Sequence, residues 1–215
     1  MDPAWSAGSE GEHATTAAAA TDTGFGDLAG TNGFIAVFAP SAGRGWAAQV
    51  TAGLSDDPVD ERWLSALLDR LLATEPIDPD RVFVAGFSIG AVMTDRLACR
   101  LADRIAAAAV VGGTPWAGEC ARSKPVSILQ MHGESDPTFR FDGAVKLAAQ
   151  WRDLDHCSGT ASPAALGTTA TIESSTGCSA GTGVDLVAVQ KGIHTWFAEP
   201  DATTLAWDFF TRHGR

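Results

Sequence analysis

The sequence predicts an α/β fold in which a mostly parallel sheet is flanked by helices, on three observations. Phe34–Phe38 and Ile105–Val111 are apolar on both faces, as strands of a sheet covered on both sides are. Val82–Val84, Val126–Met131 and Val184–Val189 add strand-like runs, and segments with helical spacing of apolar residues fall between them. The third observation is the stretch Gly86-Phe87-Ser88-Ile89-Gly90. It lies between Val82–Val84 and a segment carrying Val92, Leu97, Ala98 and Leu101 at helical spacing. Strand, Gly-x-Ser-x-Gly, helix is the context of a nucleophile elbow, a turn tight enough to leave Ser88 at its tip with Oγ exposed. The helix that follows points its positive end, and the N–H of Ile89, at whatever Ser88 attacks.

In chain order, residues 1–16 are small, polar and rich in Gly and Ser, which predicts a disordered or loosely attached arm and leaves 17–215 as one domain. Ala17–Leu28 reads as a helix weakened by Gly24 and Gly26, and Asn32-Gly33 as a turn. Pro40 ends the first strand, and Ser41–Asp57 is a loop carrying Trp46. Asp57-Pro58 opens a helix to Thr74 with Trp63, Leu64, Leu67, Leu68 and Leu71 on one stripe. Residues 142–154 have Val145, Leu147, Ala148 and Trp151 at helical spacing, with Asp142 as N-cap. The Ser/Thr/Gly-rich stretch from Cys157 to Gly183 holds a weak strand at Thr169–Ile172, and Ala202–Thr211 closes the chain with a helix. No internal repeat is visible.

A chain of 215 residues with 45% hydrophobic and 19% charged residues is globular and large enough for one substantial core. A formal charge of −11 argues against nucleic acid, whose backbone needs clustered Lys and Arg. No apolar run is long enough to cross a membrane, and the acidic first residues do not form a signal peptide. The 4 cysteines (Cys99, Cys120, Cys157 and Cys178) form no C-x-x-C and have no His at zinc-finger spacing, so no metal site is expected. Their even number fits two disulfides or a set of buried thiols.

Ser88 needs a base to take its proton and an acid to orient that base. In this kind of fold the chain order is Ser, Asp or Glu, then His, each past a strand end. Past Val126–Met131 comes His132-Gly133-Glu134-Ser135-Asp136-Pro137, where Asp136 and Glu134 both qualify. Past Val184–Val189 comes Gln190-Lys191-Gly192-Ile193-His194, which makes His194 the base. His132 reads as a structural histidine bonding its own loop, His156 and His213 as solvated, and His13 as part of the arm.

Three separated motifs, the Ile77–Gly113 stretch around Gly86-Phe87-Ser88-Ile89-Gly90, the His132–Pro137 turn and Gly192-Ile193-His194-Thr195-Trp196, resemble the polyhydroxybutyrate depolymerase and feruloyl esterase group of α/β-hydrolases. The likeness runs from about Thr23 to Trp196 and implies secreted serine esterases without a cofactor. It favours Asp136 over Glu134, so that Ser88, Asp136 and His194 are nucleophile, acid and base. It also implies bridges Cys157–Cys178 and Cys99–Cys120, and aromatic residues Trp46 and Trp196 near the substrate. His194 is followed by Thr-Trp-Phe-Ala where the group commonly has Thr-Trp-Pro-Gly, a difference that bears on the shape of the cleft.

The resemblance further implies strands ahead of the first helix and a His-Gly loop giving a second oxyanion donor, and the first residues match neither. The expectation is therefore a shortened α/β-hydrolase in which Phe34–Phe38 and the Ser88 strand pair directly or leave backbone groups unpaired. The expected activity is a serine carboxylester hydrolase acting on a polyester or on feruloyl or acetyl esters. A catalytically silent binding domain, or a peptidase or thioesterase on the same scaffold, are the rival readings. Oligomeric state is not legible.

Overall fold

The computed structural model describes residues 16–41, 45, 46 and 58–214, with short strand segments at 2–3, 8–9 and 12–13. Its centre is a run of parallel strands: β5 (Phe83–Phe87), β6 (Ala107–Val111), β7 (Ser127–Gly133) and β11 (Val184–Val189) lie side by side in that order. Beyond β11 the sheet turns antiparallel through β10 (Ala170–Thr176), which pairs with β8 (Gly159–Thr160) and β9 (Ala164–Leu166). The weak strand expected at Thr169–Ile172 is thus the start of a longer one.

Period-two alternation splits the core into two layers. Val84, Ala108, Val110, Ile128 and Leu186 face a layer built with α3 (Val59–Thr74), α4 (Ile89–Arg100) and α5 (Phe141–Leu154). Phe83, Ala85, Phe87, Ala109, Leu129 and Val187 face the other, with α1 (Thr16–Thr23), α2 (Phe25–Asn32) and α6 (Ala202–Arg212). The parallel strands are buried at every position, which is why their sequences read as apolar runs.

The helices depart from expectation in small ways with identifiable causes. Gly24 takes φ 68° and divides the predicted Ala17–Leu28 helix into α1 and α2, and Gly33 at φ 71° ends α2 as a left-handed cap. On α3, Leu64 and Leu68 are buried, whereas Trp63 stays exposed and donates its indole N–H to the Pro40 carbonyl. Arg140 holds the N-cap position of α5. Asp142, expected there, sits inside the first turn and pairs with Arg140 and Lys146.

The largest correction lies at the N-terminus. β4 (Ala36–Val37) does not meet β5 directly. It pairs in parallel with β1 (Asp2–Pro3), and β1 also lies within 8 Å of β5, in the place between them. A two-residue strand containing Pro has no hydrophobic period to betray it, and its pairing is a backbone matter only. The described part of the arm also includes β2 (Gly8–Ser9) antiparallel to β3 (Glu12–His13).

Two disulfides are present. Cys99–Cys120 ties α4 to the segment after β6, and Cys157–Cys178 closes the excursion that carries β8 to β10. Each spans a sequence separation of 21, a loop whose closure limits the unfolded chain by about 3 kcal/mol. Melting in the presence of a reductant is expected to show a loss of that order per bridge, and an unchanged melting temperature after verified reduction would contradict it.

Behind the sheet, α4 carries Asp95, which is fully buried and accepts from the Trp116 N–H at 2.8 Å and the Trp151 indole N–H at 2.7 Å. Burial raises its pKa from 3.8 to about 6, and the two donors offset that only in part. A folded-state pKa above the unfolded one contributes stability that is complete below 3.8 and lost as pH rises through about 6. That loss amounts to about 3 kcal/mol. Asp95→Asn removes this titration. The stability of the variant relative to the parent should therefore rise by that amount across the same pH window in denaturant titrations. A difference that stays constant with pH would show that Asp95 does not titrate there.

Candidate active site

The elbow forms because β5 and α4 approach too closely at Gly86 for a side chain. A Cβ on Gly86 would lie 2.2 Å from the Gly90 carbonyl oxygen and 2.4 Å from Thr94 Oγ1, so only glycine lets β5 turn into α4 here. Ser88 takes φ 56° and ψ −124°, a conformation that L-residues rarely adopt and that the flanking strand and helix impose. Its N–H is held by the Val111 carbonyl at 3.0 Å, and its carbonyl accepts from Ala91 and Val92, which starts α4 at the turn. Among the described residues no acceptor takes the N–H of Ile89, the first residue of that helix. This N–H is available for an oxyanion.

The loops after β7 and β11 are laced together. A Cβ on Gly133 would fall 2.2 Å from the Gly192 carbonyl oxygen, and that same oxygen accepts from the Ser135 N–H at 2.9 Å. Glu134 N–H donates to the Val189 carbonyl at 3.0 Å. This close approach brings Asp136 and His194, 58 residues apart, into contact.

The geometry of the three residues is a continuous line. Ser88 Oγ lies 2.8 Å from His194 Nε2, and His194 Nδ1 lies 2.7 Å from Asp136 Oδ2. The other carboxylate oxygen, Oδ1, accepts from the N–H groups of Thr138 at 2.8 Å and Phe139 at 3.0 Å. A carboxylate beside Nδ1 keeps the hydrogen on that nitrogen, so Nε2 faces Ser88 as an acceptor. The His194 ring stands between Phe87 and Phe139, with centroids at 4.7 and 5.8 Å. Glu134, the rival acid, is exposed and makes no contact with His194 among the described residues.

The two tryptophans are placed differently from the triad residues. Trp46 is 7% exposed and joins the core that holds Ala39, Leu64 and Ala91, with no ring contact to Ser88, Asp136 or His194 among the described residues. Trp196 donates its indole N–H to Thr203 Oγ1 at 3.0 Å and meets Phe25 edge-on, and it lines a groove between α6 and the α1–α2 junction. His156 is exposed, and burial lowers the pKa of half-buried His213. His132, in contrast, is fully buried next to Asp136, a placement that the buried run Ser127–Gly133 could have signalled.

The architecture is that of the α/β-hydrolase fold. Residues 60–160, somewhat under half of it, match the Phospholipase/Carboxylesterase family model. The structure superposes on an acetyl xylan esterase from Aspergillus awamori with a TM-score of 0.75 at 18% identity, covering 98% of this chain and 87% of that one, a likeness of fold. A bifunctional acetylxylan esterase/xylanase from Neocallimastix patriciarum is 29% identical over 141 residues, covering 66% of this chain and 20% of that protein. Feruloyl esterase B from Piromyces equi is 27% identical over 177 residues, covering 71% of this chain and 31% of that protein. The chain therefore spans a fifth to a third of the length of these relatives. They support the feruloyl esterase side of the resemblance; the polyhydroxybutyrate depolymerase side is not confirmed.

Proposed function

We propose that this α/β-hydrolase is a serine carboxylester hydrolase that acts on feruloyl or acetyl esters of plant cell-wall polysaccharide. The observation that carries the reading is the line Ser88 Oγ–His194 Nε2–His194 Nδ1–Asp136 Oδ2, with both gaps at hydrogen-bond distance. The relatives' names supply the ester class.

In this reading Ser88 Oγ attacks the ester carbonyl carbon while its proton passes to His194 Nε2. The carbonyl oxygen becomes an oxyanion facing the Ile89 N–H, a donor of a kind worth about 10² to 10³ in kcat. The tetrahedral adduct then expels the alcohol, which takes the proton back from His194, and an acyl-Ser88 ester remains. Water, deprotonated by His194, attacks that ester, and the acid leaves as Ser88 regains its proton. Asp136 holds the imidazole in register and stabilises its charged form throughout. Two disulfides persist in oxidising surroundings, which supports an extracellular place of work.

Release of ferulate from methyl ferulate and of acetate from acetylated xylan, each absent with Ser88→Ala, is the expected result. Hydrolysis of a poly(hydroxybutyrate) film but of neither of those substrates would replace the ester class. No turnover of any ester by folded protein would leave a binding domain instead.

A further inference from the structure

We propose that His132 is a positioning residue of this site, holding the Asp136 turn and setting how strongly Asp136 engages His194; the proposal rests on the ester-hydrolase reading above. His132 is completely buried at the end of β7. Its Nε2 lies 2.7 Å from the Phe139 carbonyl oxygen and 3.3 Å from Asp136 Oδ2, the oxygen that His194 also uses. A carbonyl can only accept, so Nε2 carries the hydrogen. Nδ1 then accepts from the Gln130 side-chain amide at 3.3 Å.

These contacts act on the acid from two sides. By bonding the Phe139 carbonyl, His132 fixes the peptide turn whose Thr138 and Phe139 N–H groups clamp Asp136 Oδ1. Phe139 is also the residue whose ring stands edge-on to His194. On the other side, the Nε2–H dipole presents its positive end to Oδ2 and stabilises the charge on that oxygen, which otherwise faces His194. The charged and titratable groups facing His132 are Asp136, from its own loop, and His194, from the loop after β11. The backbone of Gly113 and the ring of Phe141, 6.2 Å away, close the remaining sides. Burial lowers the His132 pKa, so the imidazole works as a neutral donor.

A structural histidine with no influence on the site would tolerate an apolar replacement at some cost in stability alone. His132→Leu should instead lower kcat by about tenfold with KM unchanged, the effect of losing one hydrogen bond next to a charged group. It should also move the acid limb of the kcat/KM–pH profile upward by about half a pH unit, because the undamped carboxylate holds the proton on His194 longer. His132→Gln, whose amide N–H reaches the Nε2 position, should restore the limb and most of kcat. Circular dichroism and melting establish that each variant is folded.

The second readout does not need turnover. The low-field proton resonance of His194 Nδ1–H should shift in His132→Leu and return in His132→Gln. A folded His132→Leu protein with the parent's acid limb and the parent's resonance overturns the proposal, as does a His132→Gln variant no better than His132→Leu. An inactive parent whose resonance still responds to His132→Leu would retire the ester-hydrolase reading and leave the positioning role standing.

Discussion

Replacing Ser88 by Ala should lower kcat for p-nitrophenyl butyrate by about a millionfold, with the fold unchanged. The size of the effect follows from the role: without Oγ there is no acyl-enzyme, and only whatever the oxyanion donor and binding contribute remains. The fold should survive because Ser88 is placed by its backbone. Its N–H and carbonyl bonds to Val111, Ala91 and Val92 do not involve the side chain. Alanine loses one hydroxyl, whose sole described partner is His194. A variant retaining a tenth of the parent's activity in a clean preparation would remove Ser88 as nucleophile.

Asp136→Asn should cost about ten-thousandfold in kcat, and the reason lies in the two oxygens. Oδ1 is claimed by two backbone N–H groups, so the amide oxygen of Asn must take that side. Its NH₂ then faces His194 Nδ1, which can meet a donor only as an acceptor. The imidazole hydrogen is forced onto Nε2, where it points at Ser88 Oγ and blocks proton removal. Glu134→Gln provides the comparison. Glu134 is exposed and has no described contact to His194, so its replacement should leave kcat within about twofold, as surface changes away from a site usually do. A large loss in Glu134→Gln with a mild one in Asp136→Asn would reverse the assignment of the acid.

The parallel strands, the elbow and the order of Ser88, Asp136 and His194 were readable because each rests on a pattern within a few residues. A strand buried on both faces needs an apolar run, and a tight strand-to-helix turn needs glycine at position 86. What the sequence did not disclose depends on contacts between distant segments. Asp2–Pro3 pairs its backbone with β4 and lies beside β5, a placement that leaves no trace in residue type. The break between α1 and α2 hangs on a single backbone angle at Gly24. The Gly133–Gly192 approach joins two loops far apart in the chain, and neither glycine stands out in its own segment. His132 read as one histidine among several, because only the folded loop puts it against the Asp136 carboxylate. Trp46 and Trp196 are also placed by distant contacts: the first packs in the core, and the second is tied to Thr203 and Phe25 and lines a groove.

The measurement that tests the central claim most directly is labelling with a fluorophosphonate, followed by mapping of the modified peptide. The reagent reacts with a serine whose proton is taken by a neighbouring base, so it reports the Ser88–His194 pair without any assumption about substrate. The account predicts a stoichiometric adduct on Ser88 that disappears when His194 is replaced by Ala. Folded protein that takes up no label, or that is labelled at another serine, would contradict it.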